Sequence, residues 1–315
     1  MPEPTARPAA SGPPPPRIFQ PSSDVLAIRP EALDRLRRHA AAAANGGPEA
    51  VDFSWFMSGP RPNERTDRGV SIVHVIGPLQ HHMTPWGCDS YEEIYSRLSD
   101  AASGADVVRE ARMRAYWDAS VVIPQQTPPK AIAMLFDSPG GEAAGASQLH
   151  SRILDLRAST GIPIYGFANE EACSAGYELI SACEEVWGSD CATIGSIGVI
   201  ATLFDRTVQN AMIGFGIELI TSGKYKADGH PDRPITNGVR GRTQVRVDDL
   251  ARIFFELVAS ARDTTPEAIS DLEAGVFIGQ DAVTAGIADG VCDLTQFLDM
   301  VSDAADGDAT EPSGE

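Results

Sequence analysis

Basic residues and long apolar runs are both scarce in this 315-residue chain. Lysine and arginine number 25 against 44 aspartate and glutamate residues, which leaves a formal net charge of −19. Binding to nucleic acid or to an anionic membrane surface needs clustered basic side chains, so neither partner is expected. No apolar run approaches the roughly 18 residues of a membrane span, and no signal peptide pattern opens the sequence. We therefore expect a cytoplasmic protein.

Cysteine is also sparse, with five residues at positions 88, 173, 183, 191 and 292. Their odd number excludes a fully paired disulfide framework. The absence of Cys-x-x-Cys or Cys/His ligand spacing argues against a zinc site. Reduced thiols in a cytosolic compartment are the simplest interpretation. We expect no metal and no cofactor.

The composition varies along the chain in a way that predicts four regions. Residues 1–23 are rich in proline and predict a disordered arm. Residues 24–69 contain a short helical pattern from Arg29 to Ala44, followed by an irregular connection. Residues 70–296 carry the pattern of a folded domain, and residues 297–315 predict an acidic, solvated tail.

The folded region alternates between short apolar runs and amphipathic helices. Four runs predict buried strands, at 70–76, 131–136, 164–168 and 217–220. Two helices are indicated by their apolar faces, one with Leu149, Ile153 and Leu156, the other with Leu250, Phe254, Leu257 and Ala261. This alternation predicts an α/β fold with a largely parallel sheet.

The first of three glycine-rich junctions is the sequence SPGG at 138–141, directly after a predicted strand. A Pro-Gly-Gly turn leaves backbone N–H groups unobstructed near the start of a helix, where they favour an anion. A tight strand-to-helix turn with no chemical role is the alternative.

The second junction, ACSAGYELIS at 172–181, contains Ser174 between a predicted strand and a helix. Serine is a favoured helix N-cap, so a structural role is plausible. A serine on a sharp strand-to-helix turn is also how several hydrolases present their nucleophile. The local sequence does not decide between the two.

The third junction consists of TIGSIGVI (193–200) and SGKYKADGHP (222–231). A hydroxyl nucleophile needs a base, and none of the six histidines stands in a recognisable triad context. A lysine can take that role where burial leaves its amine neutral. A lysine taken alone is normally a solvated surface charge, so Lys226 by itself would mean little.

Taken in order, SPGG, A-x-S-A-G-Y, T-x-G-S-I-G-V and S-G-x-x-K resemble the signal peptide peptidase A family of serine peptidases. That family includes the prohead or capsid maturation proteases of tailed phages. The resemblance runs from about Val70 to Leu294 and includes GVFIGQDAVTAGIADGV (275–291).

The resemblance implies a Clp-protease/crotonase-like spiral of ββα units, assembled into a closed homo-oligomer. It also implies a Ser-Lys dyad, with Ser174 as nucleophile, Lys226 as general base and Ser196 orienting the lysine. The oxyanion hole is implied at Gly140 and Gly141, with help from the N–H of Ala175. Lys224 is a rival base, since residues two apart share a face of an extended segment. Only the family spacing favours Lys226.

The phage branch is favoured by VLAIRPEALDRL (25–36), which resembles the N-terminal element of phage capsid proteases. That branch implies polypeptide substrates such as capsid, portal or scaffold proteins, in the host cytoplasm or the assembling virion. Three alternatives stay open: a cytosolic signal-peptide-peptidase-like enzyme, a crotonase-like acyl-CoA enzyme and a non-catalytic assembly subunit. Residues 107–129 stand where members of the family usually have a shorter segment. They predict a lid, an oligomer contact or a surface addition without a role.

Overall fold

The computed structural model describes residues 25–28, 62–82, 89–118 and 120–307. The predicted proline-rich arm (1–23) and the predicted helix from Arg29 to Ala44 lie outside the described residues. Within the described ranges, no helix is both long and apolar enough to span a bilayer.

The described elements alternate in the order expected from the sequence. The strands are β1 (Val25–Ile28), β2 (Glu64–Arg65), β3 (Val70–Ile76), β4 (Ala131–Ser138), β5 (Gly140–Glu142), β6 (Ile164–Cys173), β7 (Val186–Gly188), β8 (Thr193–Gly195), β9 (Ile200–Ala201), β10 (Val276–Ile278) and β11 (Gly290–Val291). The helices are α1 (Tyr91–Ser103), α2 (Ala105–Trp117), α3 (Ala146–Thr160), α4 (Ala175–Ile180), α5 (Thr207–Met212), α6 (Asn237–Ala261), α7 (Pro266–Ser270), α8 (Gln280–Thr284) and α9 (Leu294–Asp306).

The main sheet has the strand order β10-β8-β6-β4-β3-β2, and its central pairs β3–β4, β4–β6 and β6–β8 are parallel. A branch leaves β6, because β7 also pairs with β6 in parallel and β11 pairs with β7. The strands at the centre are apolar on both faces, as expected for a parallel sheet covered by helices. The observed α/β architecture confirms the predicted fold class and agrees with a Clp-protease/crotonase-like fold.

The larger core lies between the sheet and the helices α1, α3, α4 and α6. Each of these helices contributes apolar side chains three or four residues apart to this core. Examples are Ile94 and Leu98 of α1, and Leu149 and Ile153 of α3. The predicted apolar face of α3 is confirmed by Leu149, Ile153 and Leu156, whereas in α6 the core receives Phe254 of the predicted face together with Val258 and Ala259. A second, smaller core on the other side of the sheet includes Phe167.

A second sheet joins the start of the chain to the glycine-rich junctions. β1 lies between β5 and β9 and is antiparallel to both. Its partners are the two glycines of SPGG with Glu142 on one side, and Ile200 and Ala201, which follow the TIGSIG motif, on the other. The sheet therefore adjoins the candidate active site.

The structure differs from the sequence-based prediction at residues 217–220. These residues form no strand, and Ile220 is 92% exposed. The prediction of a buried strand here is wrong. An apolar run indicates that its side chains favour burial, but it does not indicate whether they pack into the core of their own chain.

The predicted boundary at residue 296 is also corrected by the structure. The sequence predicts a solvated tail from residue 297, whereas α9 continues to Asp306 and buries Phe297 and Val301 completely. At its far end, Asp306 pairs with Lys130 at 2.5 Å and Asp303 pairs with Arg68 at 2.5 Å. Residues 297–306 thus belong to the folded body, and the acidic composition hid a helix with one apolar stripe.

We predict that Phe297→Ala lowers the free energy of unfolding by about 3–5 kcal/mol, because a buried aromatic ring would leave a cavity. The ring packs against Phe167 with centroids 4.9 Å apart. The matched control is Asp299→Ala on the same helix, whose side chain is 68% exposed and whose loss should change stability by less than about 1 kcal/mol. Urea unfolding of both variants would measure this. If Phe297→Ala changes stability as little as the control does, α9 is a dispensable tail.

Candidate active site

Ser174 occupies the turn between β6 and α4, and its backbone has φ 54° and ψ −121°. A positive φ is uncommon for a residue with a side chain, and such strain concentrates at functional sites. The Ser174 hydroxyl makes no capping bond to the helix; instead it donates to the Gly198 carbonyl at 3.4 Å. The capping role, which the sequence left open, is therefore not what this side chain does.

Hydrogen bonds from two neighbouring segments hold the strained turn. The Ser174 N–H donates to the Gly195 carbonyl at 2.8 Å, at the point where β8 pairs with the end of β6. The next residue, Ser196, also has a positive φ of 53°, and its N–H donates to the Gly275 carbonyl at 2.7 Å. A Cβ atom at Gly195 would lie 2.6 Å from that same carbonyl oxygen, so this crossing needs glycine. The T-x-G-S-I-G motif thus builds the support of the serine turn.

The SPGG turn lies beside the start of α4. The N–H of Gly140 is already used, because it donates to the Ser138 hydroxyl at 3.2 Å. On one side of β5, the Leu79 N–H donates to the Gly140 carbonyl, and the Glu142 N–H donates to the Leu79 carbonyl. Since successive residues of a strand direct their polar groups to opposite sides, the N–H of Gly141 is directed to the other side, toward β1. Gly141 also needs glycine, because a Cβ would lie 1.9 Å from the Leu79 carbonyl oxygen.

Ala175, the first residue of α4, is fully buried. Its N–H belongs to the first helical turn, where no intrahelical acceptor exists, and we find no other acceptor for it in the described part of the chain. The adjacent Gly176 abuts β4, since a Cβ there would lie 3.1 Å from the Ser138 carbonyl oxygen. This contact brings the start of α4, with the N–H of Ala175, close to the glycine turn.

Lys226 lies in the turn-rich segment 213–236 and is exposed. Within the described ranges, no hydrogen bond joins its ammonium to Ser174 or Ser196. The rival Lys224 has its ammonium 5.4 Å from the centroid of the Tyr225 ring, which also carries the Arg242 guanidinium at 4.3 Å. The single chain therefore does not assemble the predicted dyad, and the base assignment stays a prediction.

Glu178 is a notable residue that sequence reasoning missed. It lies one turn after Ser174 on α4, its N–H donates to the Ser174 carbonyl at 2.9 Å, and it is 4% exposed. Burial raises the pKa of its carboxyl to about 8, so the group is protonated at neutral pH. Buried Tyr91 lies near this carboxyl and donates to the Glu142 carbonyl at 2.5 Å. Nothing in the local sequence distinguishes this glutamate from an exposed one on a surface helix.

We predict that Glu178→Gln makes stability less dependent on pH. The folded chain keeps a proton that the unfolded chain releases near pH 4.5, so the free energy of unfolding falls as pH rises from there toward 8. Glutamine has no proton to lose, and a loss on the order of 3 kcal/mol between pH 5 and 8 should disappear. Unfolding at several pH values would measure it, with Glu256→Gln, an exposed partner of Arg252, as control. An unchanged pH slope would contradict the prediction.

The comparisons with known proteins agree with the motifs. Residues 157–307, which include Ser174, Ser196 and Lys226, match the model described as Peptidase family S49. Head-tail preconnector protein GP5 of Enterobacteria phage P21 is 30% identical over 264 residues, covering 82% of this chain and 48% of that protein. Capsid assembly protease C of Escherichia phage lambda is 29% identical over 253 residues, covering 78% and 52%.

A plant relative extends the similarity beyond phages. Serine protease SPPA, chloroplastic, of Arabidopsis thaliana is 28% identical over 239 residues, covering 75% of this chain and 31% of that protein. The chain spans about half the length of the two phage relatives. These matches confirm the resemblance drawn from the motifs, and the chain carries a domain of peptidase family S49.

Proposed function

We propose that this protein is a serine endopeptidase in which Ser174 is the nucleophile. The observation that carries the proposal is the turn itself: a strained serine, whose hydroxyl caps no helix, lies beside the unengaged N–H of Ala175. A structural serine would satisfy the helix terminus, whereas a nucleophile must keep its hydroxyl available for a substrate.

The proposed reaction uses Lys226 as the general base, as the family resemblance implies. The Ser174 oxygen attacks a peptide carbonyl carbon, and its proton passes to the neutral amine of Lys226. The resulting ammonium returns the proton to the leaving amine as the peptide bond breaks, which leaves an acyl-serine ester. Water then attacks the ester with the same lysine as base, and the serine is restored.

The negative charge that develops on the carbonyl oxygen needs donors fixed in advance. We assign this role to the N–H group of Ala175, which has no acceptor in the described part of the chain, and to that of Gly141, which is directed toward β1 and not toward Leu79. Gly140 supports the turn through its conformation, with φ 99°, while its own N–H is held by Ser138.

The exposure of Lys226 makes a second copy of the chain part of the proposal. A lysine amine is neutral near pH 7 only where it is desolvated, which an exposed side chain is not. Segment 204–225 presents an unusual number of exposed apolar side chains for a monomer surface: Phe204, Val208, Met212, Ile213, Phe215, Ile217, Ile220 and Tyr225. Such a surface marks a contact site. A homo-oligomer that covers it would also desolvate the neighbouring Lys226.

The predicted insertion at 107–129 contributes to the same proposal. Its first part continues α2, which exposes Met113, Tyr116 and Trp117, the last at 87%. Large exposed aromatic side chains are typical of interface centres. Of the three roles left open by the sequence, an oligomer contact is the one that this surface supports.

The substrates proposed for the enzyme are polypeptides of an assembling phage head. The names of the two phage relatives, a head-tail preconnector and a capsid assembly protease, support this class. The enzyme would then act in the host cytoplasm or in the assembling particle.

We predict that a fluorophosphonate probe labels Ser174 and that variants of the dyad lose activity to different extents, according to the role of each residue. Ser174→Ala and Lys226→Arg should remain folded and lose at least about 10³-fold in rate, since a guanidinium stays protonated and cannot act as base. Lys224→Arg, the matched control, should stay active, and Ser196→Ala should be slower by about tenfold because it only orients the lysine. Labelling rates and cleavage of a denatured protein would measure this.

Three outcomes would contradict the assignment in different ways. If Lys224→Arg is inactive while Lys226→Arg is normal, the base lies two residues earlier. If both lysine variants cleave normally, the Ser-Lys mechanism fails. Absence of any probe labelling would favour the crotonase-like or the non-catalytic alternative.

We also predict that Ile220→Asp dissociates the oligomer and lowers activity at least tenfold. A charge in the centre of a buried apolar contact is not compensated, whereas on the free chain it would sit in water without cost to the fold. Ser151→Asp on the exposed side of α3 is the control and should change neither property. Light scattering at micromolar concentration, with labelling of Ser174, tests both. A fully active monomer would contradict the prediction.

A further inference from the structure

The strand β1 lies between two strands, β5 and β9, that adjoin the Ser174 turn. On one side it pairs with β5, where Ala27 is opposite Gly141. On the other side it pairs with β9, where Leu26 is opposite Ile200, two residues beyond the Gly198 carbonyl that receives the Ser174 hydroxyl. The chain's own N-terminal segment is thus the middle strand between the two motifs that border the nucleophile.

The gap that β1 fills has the dimensions of one extended polypeptide. Since β1 is antiparallel to both neighbours, β5 and β9 run parallel to each other, about 10 Å apart at two strand spacings. Without β1, the inward polar groups of both strands, including the N–H of Gly141, would lack a backbone partner. A peptide substrate in extended form supplies those partners in the same way, by strand addition.

The direction of β1 also matches that of a chain entering the site. Its pairing runs from Leu26 opposite Glu142 to Ile28 opposite Gly140, so its C-terminal end lies at the glycine turn. A polypeptide bound in the same direction would lead its backbone toward the candidate oxyanion donors. One gap cannot hold both strands.

We propose that residues 25–28 are a tethered competitor, which occupies the polypeptide-binding gap between β5 and β9 and leaves it when a substrate strand binds. The proposal rests on the proposed function, because that function makes the gap a substrate site. Two features suit an exchangeable strand: β1 has four residues, and β9 has two. A tethered segment competes with a free peptide for the gap at an effective concentration of roughly millimolar. The apparent affinity for a free peptide is therefore reduced by the fraction of molecules in which β1 has left the gap.

The first test measures peptide binding without catalysis. A fluorescein-labelled peptide with the chain's own sequence DVLAIRPE (24–31) is titrated into full-length Ser174→Ala protein and followed by fluorescence polarisation. Adding Ala27→Pro removes a strand N–H and should release β1, so the Kd for the peptide should fall at least tenfold. Ala10→Pro in the proline-rich arm is the matched control and should leave the Kd unchanged. An unchanged Kd in the well-folded Ala27→Pro protein would overturn the proposal.

A second variant tests the same point without loosening the strand. Leu26→Cys with Ile200→Cys joins two directly opposed positions, a spacing that suits a disulfide. Oxidation should abolish peptide binding, and reduction should restore the Kd of the parent chain, while Leu26→Cys alone should respond to neither. Binding that persists in the locked chain would mean that peptides bind elsewhere and that β1 is a fixed part of the fold.

The two proposals fail separately. Peptide binding to Ser174→Ala protein requires no nucleophile, so the competitor role stands or falls on the Kd values alone. If those values behave as expected while protein with Ser174 neither labels nor cleaves, the strand inference holds and the peptidase proposal does not.

Discussion

The site depends on the way one strand, β6, is shared between two partners. Its first half pairs with β7 through Gly166 to Ala168, and its second half pairs with β8 through Glu171 to Cys173. Between the halves, Glu170 has φ 96°, and the register against β4 shifts after Phe136. This irregularity redirects the chain, so that the end of β6 meets β8 just before Ser174. The nucleophile turn, its support at Gly195 and the neighbouring SPGG turn all follow from that bend.

The interior beside the nucleophile is neutral, although the chain carries a formal charge of −19. Glu178 is kept protonated by burial, and on the adjacent helix α3 the fully buried His150 has its pKa lowered to about 4 by burial, which keeps it uncharged. A neutral, water-poor wall strengthens any hydrogen bond to a developing oxyanion, because little solvent screens it.

Sequence reasoning succeeded where the signal is local. The apolar runs at 70–76 and 131–136 are strands, and the small-residue motif around Ser174 predicts a turn that the structure contains. It failed where the outcome depends on distant residues. Ile217 and Ile220 look like a core strand, yet they are exposed on the single chain. The pairing of Val25–Ile28 with segments more than 100 residues away, and the burial of Glu178, have no local signature at all.

The ion pairs at the end of α9 have a consequence for how this domain can be built into longer polypeptides. Asp303 and Asp306 hold Arg68 and Lys130, so the last helix ends beside the entry to β3. The body from β3 to α9, whose first and last elements are neighbours, can be inserted into a host chain or circularly permuted with its core unchanged. Both joints would emerge from one corner of the sheet, where α9 meets the entry to β3.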